Sequence, residues 1–214
     1  MIAALDFSIN KTALSIFDKD ILKEIYVFPL EIDKMSETKL TKSGVYVINR
    51  TLTHISRKSF NESTLILEQV NRACTLADLI ADVIVTYAQE NKIDYSDVII
   101  CNEGFSFGSK GAATLDLAGF KFVLMKTLID SGFTKFVTYS PITIKATAGN
   151  ARKGTTKLDM INSLSNLELN HPFIEVLRSH PEYLKKKTNF INCVDDIADS
   201  IWCGLTHIKN KDNQ

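Results

Sequence analysis

The sequence lacks several features that would assign a protein to a particular class at once. No stretch of its 214 residues approaches the roughly 18 to 20 uninterrupted apolar residues that a membrane span requires. It has no internal repeat and no low-complexity segment. Its four cysteines form no CxxC pair, so buried thiols are favoured over disulfides or metal ligands at the following positions: Cys74, Cys101, Cys193 and Cys203.

A net charge is also absent, because 25 basic residues balance 25 acidic ones. A zero total argues weakly against a non-specific nucleic-acid partner, for which a basic domain is typical. The charges are nevertheless unevenly placed. The segment from Lys34 to Lys58 contains six basic residues and one acid, which gives it a local charge of +5. The segment from Pro141 to Leu158 contains four basic residues and no acid. The neutral total therefore hides two basic segments.

What the chain does contain is typical of a globular protein, with 45% hydrophobic and 23% charged residues. A chain of this length buries roughly 70% of its unfolded surface in one core, so we expect a single domain over residues 1–214. The opening residues Met1–Asp6 have no basic n-region and meet an aspartate early, which is not typical of a secretory signal peptide. We expect a cytoplasmic protein.

Apolar patterns along the chain predict an α/β protein with helices on both faces of a mixed sheet. A hairpin is predicted over Ile2–Phe7 and Thr12–Phe17, followed by a strand at Leu22–Phe28. The later elements are a helix at 74–91 that begins near Thr75 and Asp78, a strand at Asp97–Asn102, a helix at Ala112–Ser131, a strand at Lys135–Tyr139, a helix from Pro141, a helix capped by Thr155 or Thr156, and a last helix at Val194–Ile208. No element is predicted around 30–60 or 168–192, which we interpret as insertions.

Acidic residues stand at three chemically unusual places. Asp6 ends the first apolar strand, and Glu103 closes another that is almost wholly apolar. The last helix begins with Asp195, Asp196 and Asp199, of which the last two share a helix face. An isolated carboxylate in an apolar setting is costly unless it is paired or binds a cation. The alternatives are that the strand acids cap turns and that the helix acids only complement the helix dipole.

If these carboxylates converge, they require positive charge between them. Oxygen-only ligation selects hard cations such as Mg²⁺, with Mn²⁺ as a substitute. A pair of such ions about 3.5–4 Å apart supports in-line displacement at phosphorus. The acids therefore predict a two-metal site for phosphodiester hydrolysis.

Four segments resemble the RuvC-type Holliday junction resolvases, and together they cover about a third of the chain. The first, Ile2–Ile16, is similar to the family's first hairpin, which ends in a catalytic aspartate. The others, in family order, are Val98–Glu103 with Gly108–Gly119, the lysine- and glycine-containing segment Ser140–Lys157, and the closing helix Asp196–His207. A single DxxD motif has little value, whereas four segments in order are fairly specific.

The resemblance implies a ribonuclease H-like fold with a mixed five-stranded sheet, a homodimer, and Mg²⁺-dependent paired nicking of four-way DNA junctions. It places the catalytic, metal-binding tetrad on Asp6, Glu103, Asp196 and Asp199, with Asp195 as a supporting acid. The resemblance does not extend to the basic region between Lys34 and Lys58 or to the segment Glu168–Asn192, for which we find no match in the family. These departures resemble viral and phage members, so the cytoplasm of a bacterium or of a virus-infected host cell is expected.

Several residues are candidates for DNA contact. The basic segment contributes Lys145, Arg152, Lys153 and Lys157, beside glycines that let backbone N–H groups approach a phosphate. Lys145 or Lys157 would also stabilise the reacting phosphate. Phe105 and Phe107 follow Glu103 in a loop whose equivalent in the family carries a base-stacking aromatic. The alternatives are a solvated basic loop and phenylalanines folded onto the core; the run Lys185–Lys187 is best explained as a solvated turn.

Three other functions remain open at this point. A nuclease of the same fold that acts on flaps, forks or RNA has the same acids. A non-catalytic protein that binds branched DNA would keep the fold and lose the chemistry. A sugar-kinase-like ATPase also begins with a strand-borne aspartate, but the chain lacks the glycine-rich phosphate loops of that class.

Overall fold

The computed structural model describes residues 1–50, 62–104, 112–149, 156–180 and 192–211, which form a mixed sheet flanked by helices. The strands are β1 (Ile2–Asp6), β2 (Lys11–Asp18), β3 (Ile21–Pro29), β4 (Val45–Val47), β5 (Ile99–Glu103) and β6 (Lys135–Tyr139). The helices are α1 (Lys34–Lys42), α2 (Glu62–Glu90), α3 (Ala112–Asp130), α4 (Pro141–Thr147), α5 (Lys157–Ser165), α6 (Pro172–Ser179) and α7 (Val194–Lys211). A short 3₁₀-helix at Tyr95–Asp97 precedes β5.

The sheet has the strand order β4-β3-β2-β1-β5-β6. Strands β1, β2 and β3 form an antiparallel meander, β5 runs parallel to β1, β6 runs parallel to β5, and β4 runs parallel to β3. Only β2 therefore runs in the opposite direction to the other five. The carboxyl ends of β1, β3, β4, β5 and β6 consequently meet at one edge of the sheet.

Both faces of the sheet are covered, as the unbroken apolar strand patterns predicted. Successive side chains of a strand point to opposite faces. On β1, Ile2 and Ala4 join a core with α1 and α4–α7, whereas Ala3 and Leu5 join a second core with α2 and α3. The α/β architecture with helices on both faces is confirmed.

The prediction of five strands is wrong, because the sheet has six. The additional strand is β4, which pairs with Ile25–Val27 of β3 at the edge of the sheet. It lies in the 30–60 segment, where no element was predicted and where α1 also forms. A strand of three residues is too short for its alternating pattern to be recognised in the sequence. The 168–192 segment likewise contains α6, although it had been interpreted as a loop or small insertion.

The helix starts were predicted with mixed success. Thr156 caps α5 in a capping box with Asp159, and Ser140 caps α4 with Pro141 in its first turn, as expected. Thr75 is not a cap, because α2 begins thirteen residues earlier at Glu62. Cys74 is exposed, contrary to expectation, whereas the other three cysteines are buried and free. No helix in the described part of the chain is long and apolar enough to cross a membrane.

Candidate active site

Two of the predicted acids lie side by side at the carboxyl edge of the sheet. Asp6 ends β1 and Glu103 ends β5, and these strands are parallel with Leu5 level with Asn102. Because side chains alternate, Asp6 lies on the face of Ala4 and Glu103 on the face of Cys101. Both of these neighbours belong to the core under α7. The register therefore places both carboxylates on the face that α7 covers.

Helix α7 brings the other two acids to the same place. It crosses β1, β2 and β5, with most of its first three turns buried. Gly204 permits this close approach, since a Cβ there would lie 2.3 Å from the ring of Phe17. A buried hydrogen bond of 2.6 Å joins the hydroxyls of Ser15 on β2 and Ser200 on α7. These contacts set the position of the helix, and with it the positions of the acids in its first two turns.

The pKa values show that the four acids share one environment. The pKa of Asp6 lies well above its usual value because of burial and repulsion from Asp199, Asp196 and Glu103. Burial is the main cause that raises the pKa of Asp196 to about 7, and repulsion from Asp195 adds to it. Burial likewise raises the pKa of Asp199 to about 7, with repulsion from Glu103 as the second cause. Burial also raises the pKa of Glu103, although the positive charges of nearby lysines act to lower it. The structure thus brings together the four acids that the sequence singled out.

Lysines surround the acidic cluster. Lys157 binds Asp195 at 2.6 Å. Burial opposes its protonation, yet Asp195 and the neighbouring acids raise the pKa of Lys157. Lys145 lies close enough to Glu103 to lower the pKa of that carboxyl. Lys121, which the sequence did not single out, donates to the backbone carbonyl of Glu103 at 2.6 Å. Nothing in the sequence marks Lys121, because its role depends on the packing of α3 beside β5.

The remaining predicted contact residues lie outside the described residues. These are Phe105, Phe107, Arg152 and Lys153. The run Lys185–Lys187, for which the sequence favours a solvated turn, also lies outside them. Of the predicted DNA-contact residues, the structure therefore places Lys145 and Lys157 beside the acids. Two histidines have structural contacts: His207 contacts the Tyr139 hydroxyl at 2.9 Å, and His171 caps α6.

The acidic cluster suits a hard divalent cation by its chemistry. All four donors are carboxylates, the ligand type that Mg²⁺ and Mn²⁺ prefer. The Oδ2 atom of Asp196 is buried and finds no hydrogen-bond donor among the described residues, which leaves one oxygen lone-pair set unsatisfied. Within the same residues, no three acidic, histidine or cysteine side chains form a ready coordination sphere. The support for a cation at this site therefore comes from the carboxylate donors and from the unsatisfied oxygen of Asp196.

Comparison with known proteins identifies the fold. No protein-family model and no curated protein sequence matches the chain. Among solved structures, Thermus thermophilus RuvC matches with a TM-score of 0.50 at 10% identity over 99% of this chain and 95% of that chain. T. thermophilus RuvC in complex with a Holliday junction substrate matches with a TM-score of 0.54 at 10% identity, over 99% and 94%.

A third match is the yeast mitochondrial Holliday junction resolvase Ydc2, with a TM-score of 0.48 at 10% identity over 96% of this chain and 76% of that chain. The two RuvC matches extend over nearly the whole chain and include the strands that carry the acids. The protein therefore has the ribonuclease H-like fold of RuvC, with a sheet of six strands.

Proposed function

We propose that this protein is a divalent-metal-dependent endonuclease that resolves Holliday junctions and related branched DNA. The observation that carries the proposal is the convergence of Asp6, Glu103, Asp196 and Asp199 at one edge of a RuvC-type sheet. Buried carboxylates that raise one another's pKa values destabilise the folded protein in the absence of a cation. Selection for stability alone does not explain such a cluster, whereas metal-dependent hydrolysis requires it.

The four carboxylates would hold two Mg²⁺ ions, with Mn²⁺ as a substitute. When bound, the ions supply an activated water and charge stabilisation at the scissile phosphate, giving 5′-phosphate and 3′-hydroxyl ends. The acids of β1 and β5 are fixed by strand register, and those of α7 by the packing of that helix on the sheet. The chain therefore contributes a preorganised set of oxygen donors on rigid elements.

Lys157 contributes positive charge beside the cluster. Its Nζ is held by Asp195, while 66% of the side chain is exposed and available to a phosphate. Asp195 therefore acts as a positioning residue that aims Lys157 at the acidic edge. Lys145, on the first turns after β6, adds a second cation beside Glu103.

The Asp195–Lys157 pair gives a specific prediction. Asp195→Asn should lower cleavage by about 10- to 100-fold, the range found for groups that orient catalytic residues. Lys157→Ala should have a similar effect, and the double variant should be no slower than the slower single variant. If the fold-reductions in rate of the two single variants multiply in the double variant, the two residues act independently.

Paired nicking is the expected outcome on a four-way junction, and a homodimer would supply two such sites. The decisive experiment incubates the protein with a synthetic mobile junction and Mg²⁺ and maps cuts on all four strands. Two symmetrically placed nicks would support resolution by a dimer. Cutting of a flap, a fork or an RNA–DNA hybrid in preference to the junction would assign another target to the same site.

Variants of the tetrad test the chemistry directly. Asp6→Asn and Glu103→Gln should lower cleavage at least about a hundredfold and leave junction binding in EDTA intact. Asp78→Asn, an exposed acid on α2, is the matched control and should cut normally. Full activity in either tetrad variant would refute the assignment. Binding without cleavage in the unmodified protein would instead indicate a non-catalytic branched-DNA-binding protein.

A further inference from the structure

The peptide unit that joins Glu103 to Gly104 ends β5, and both of its polar groups are held in place. Its N–H group, on Gly104, donates to the backbone carbonyl of Tyr139 on β6 at 2.8 Å. Its carbonyl group, on Glu103, accepts a hydrogen bond of 2.6 Å from the ammonium group of Lys121 on α3. The first bond continues the pairing of β5 with β6, whereas the second comes from a side chain eighteen residues further along the chain.

An ammonium group is a costly donor at this position. Lys121 is half-buried, and burial lowers its pKa. Its side chain also lines a surface groove between α3 and β6, together with Gly104 and Thr138, so water lies within its reach. The ammonium group nevertheless donates to the carbonyl of Glu103. Because a charge-assisted hydrogen bond is roughly twice as strong as a neutral one, this bond offsets the cost of burying the charge. The side chain of Lys121 is therefore held at one particular atom, next to the acidic cluster.

The bond from Lys121 affects the direction in which Glu103 points. The two peptide units that flank a Cα atom set its backbone dihedral angles, and these angles direct the side chain. The unit before Glu103 lies inside β5, but pairing of β5 with β1 reaches only to Asn102. The unit after Glu103 is thus the end of the strand, where hydrogen bonds open most easily. By holding this unit, Lys121 restricts the directions that the Glu103 carboxylate can take.

An electrostatic role for Lys121 would have the opposite effect on a metal ion. Burial raises the pKa of Glu103, while Lys145 and then Lys121 act to lower it. The same positive charge repels a divalent cation bound to this carboxylate. Removing only the charge would therefore tighten metal binding, whereas removing a group that positions Glu103 would weaken it. The sign of the change in metal affinity separates the two roles.

We propose that Lys121 is a positioning residue, which holds the last peptide unit of β5 so that the Glu103 carboxylate stays directed at the acidic cluster. Its effect on metal binding rests on the proposed function, whereas its hold on the peptide unit does not. Helix α3 thereby supports the site, although none of the four acids lies on it.

Hydrogen exchange of the Gly104 amide, measured by NMR in EDTA, tests the contact itself. Lys121→Met removes the ammonium group and keeps an apolar side chain of similar length. It should raise the exchange rate of this amide at least about tenfold relative to amides in the middle of β5. Lys121→Arg keeps a charged donor and should restore most of the protection. Lys126→Met removes a 71% exposed lysine from the same helix and should leave the rate unchanged. An unchanged rate in Lys121→Met would overturn the proposal.

Metal affinity tests the positioning role. In calorimetric titrations of the full chain at pH 8, Lys121→Met should bind Mg²⁺ about 10- to 100-fold more weakly, the range found for groups that orient metal ligands. Lys121→Arg should recover most of the affinity, and Lys126→Met should bind as the unmodified protein does. Equal or tighter binding in Lys121→Met would overturn the positioning role, even with faster exchange at Gly104. A protein that shows both effects and cuts no junction would uphold the role of Lys121 and refute the nuclease function.

Discussion

Neutralising one acid of the tetrad should stabilise the metal-free protein, although the same change removes a proposed metal ligand. Asp199 is the best position for this test, because burial and Glu103 raise its pKa from 3.8 to about 7. Linkage converts a difference of that size into at most about 4 kcal/mol of destabilisation of the folded state at alkaline pH. Partial exposure of Asp199 and the polarity of an amide reduce the expected gain for Asp199→Asn to about 2–3 kcal/mol. The melting temperature should rise by roughly 5–10 °C.

The dependence on pH separates this effect from a change in packing. Below about pH 4, the carboxyl group is protonated in the folded and unfolded states, so it costs nothing. Between pH 3.8 and about 7, the unfolded state releases the proton first, and stability is lost as the pH rises. The advantage of Asp199→Asn should therefore be small at pH 4 and complete at pH 8.

The assay is urea or thermal unfolding in EDTA at both pH values, with Asp78→Asn as the control. Addition of Mg²⁺ at pH 8 should stabilise the unmodified protein more than Asp199→Asn, since only the former keeps the full set of ligands. Two results would refute the reasoning: an Asp199→Asn variant that is no more stable at pH 8, or an advantage of equal size at pH 4 and pH 8. Either would mean that burial and repulsion from Glu103 do not disfavour the charged form of Asp199 in the folded protein.

Two further predictions concern the elements that support the site. Gly204→Ala should cost about 1–3 kcal/mol of unfolding free energy, because the new methyl group overlaps the buried ring of Phe17. Gly119→Ala on α3 meets no atom within 4 Å and should instead stabilise the protein by up to about 1 kcal/mol; equal effects in calorimetry would contradict the packing of α7. His171 accepts from the backbone N–H of Phe173, and burial lowers its pKa to about 4. The contribution of His171 to stability should thus fall by up to about 3 kcal/mol between pH 6.5 and pH 4, against the gain from the tetrad acids over the same range, so His171→Asn, which can still cap α6, should be more stable relative to the unmodified protein at pH 4 than at pH 6.5.

The sequence predicted the elements whose signals are local. β1 and the meander that follows it were recognised from apolar runs, and α3, β6, α4 and α5 from periodicity, prolines and caps. Elements defined by distant contacts were missed. Strand β4 exists because three residues pair with β3. In the early part of α2, the apolar residues Ile66, Leu67 and Val70 are exposed.

For the site, the residue types were visible in the sequence and their arrangement was not. Acids that end apolar strands or begin a helix are unusual enough to be noticed one by one. Their convergence depends on β1 and β5 being neighbours in parallel register, which the 92 residues of chain between these strands do not reveal.

The sequence by itself determined the α/β class and the order of most elements, because these follow from hydrophobic periodicity. It also singled out the four acids as candidates, from the cost of charge in apolar runs and from the resemblance to the resolvase family. Tertiary structure alone decided the sixth strand, the pairing of Lys157 with Asp195 and the bond from Lys121 to Glu103. Each of these depends on contacts between residues that are far apart in the chain. Such contacts arise from close packing, in which one glycine against a ring or one hydroxyl pair sets where a helix lies.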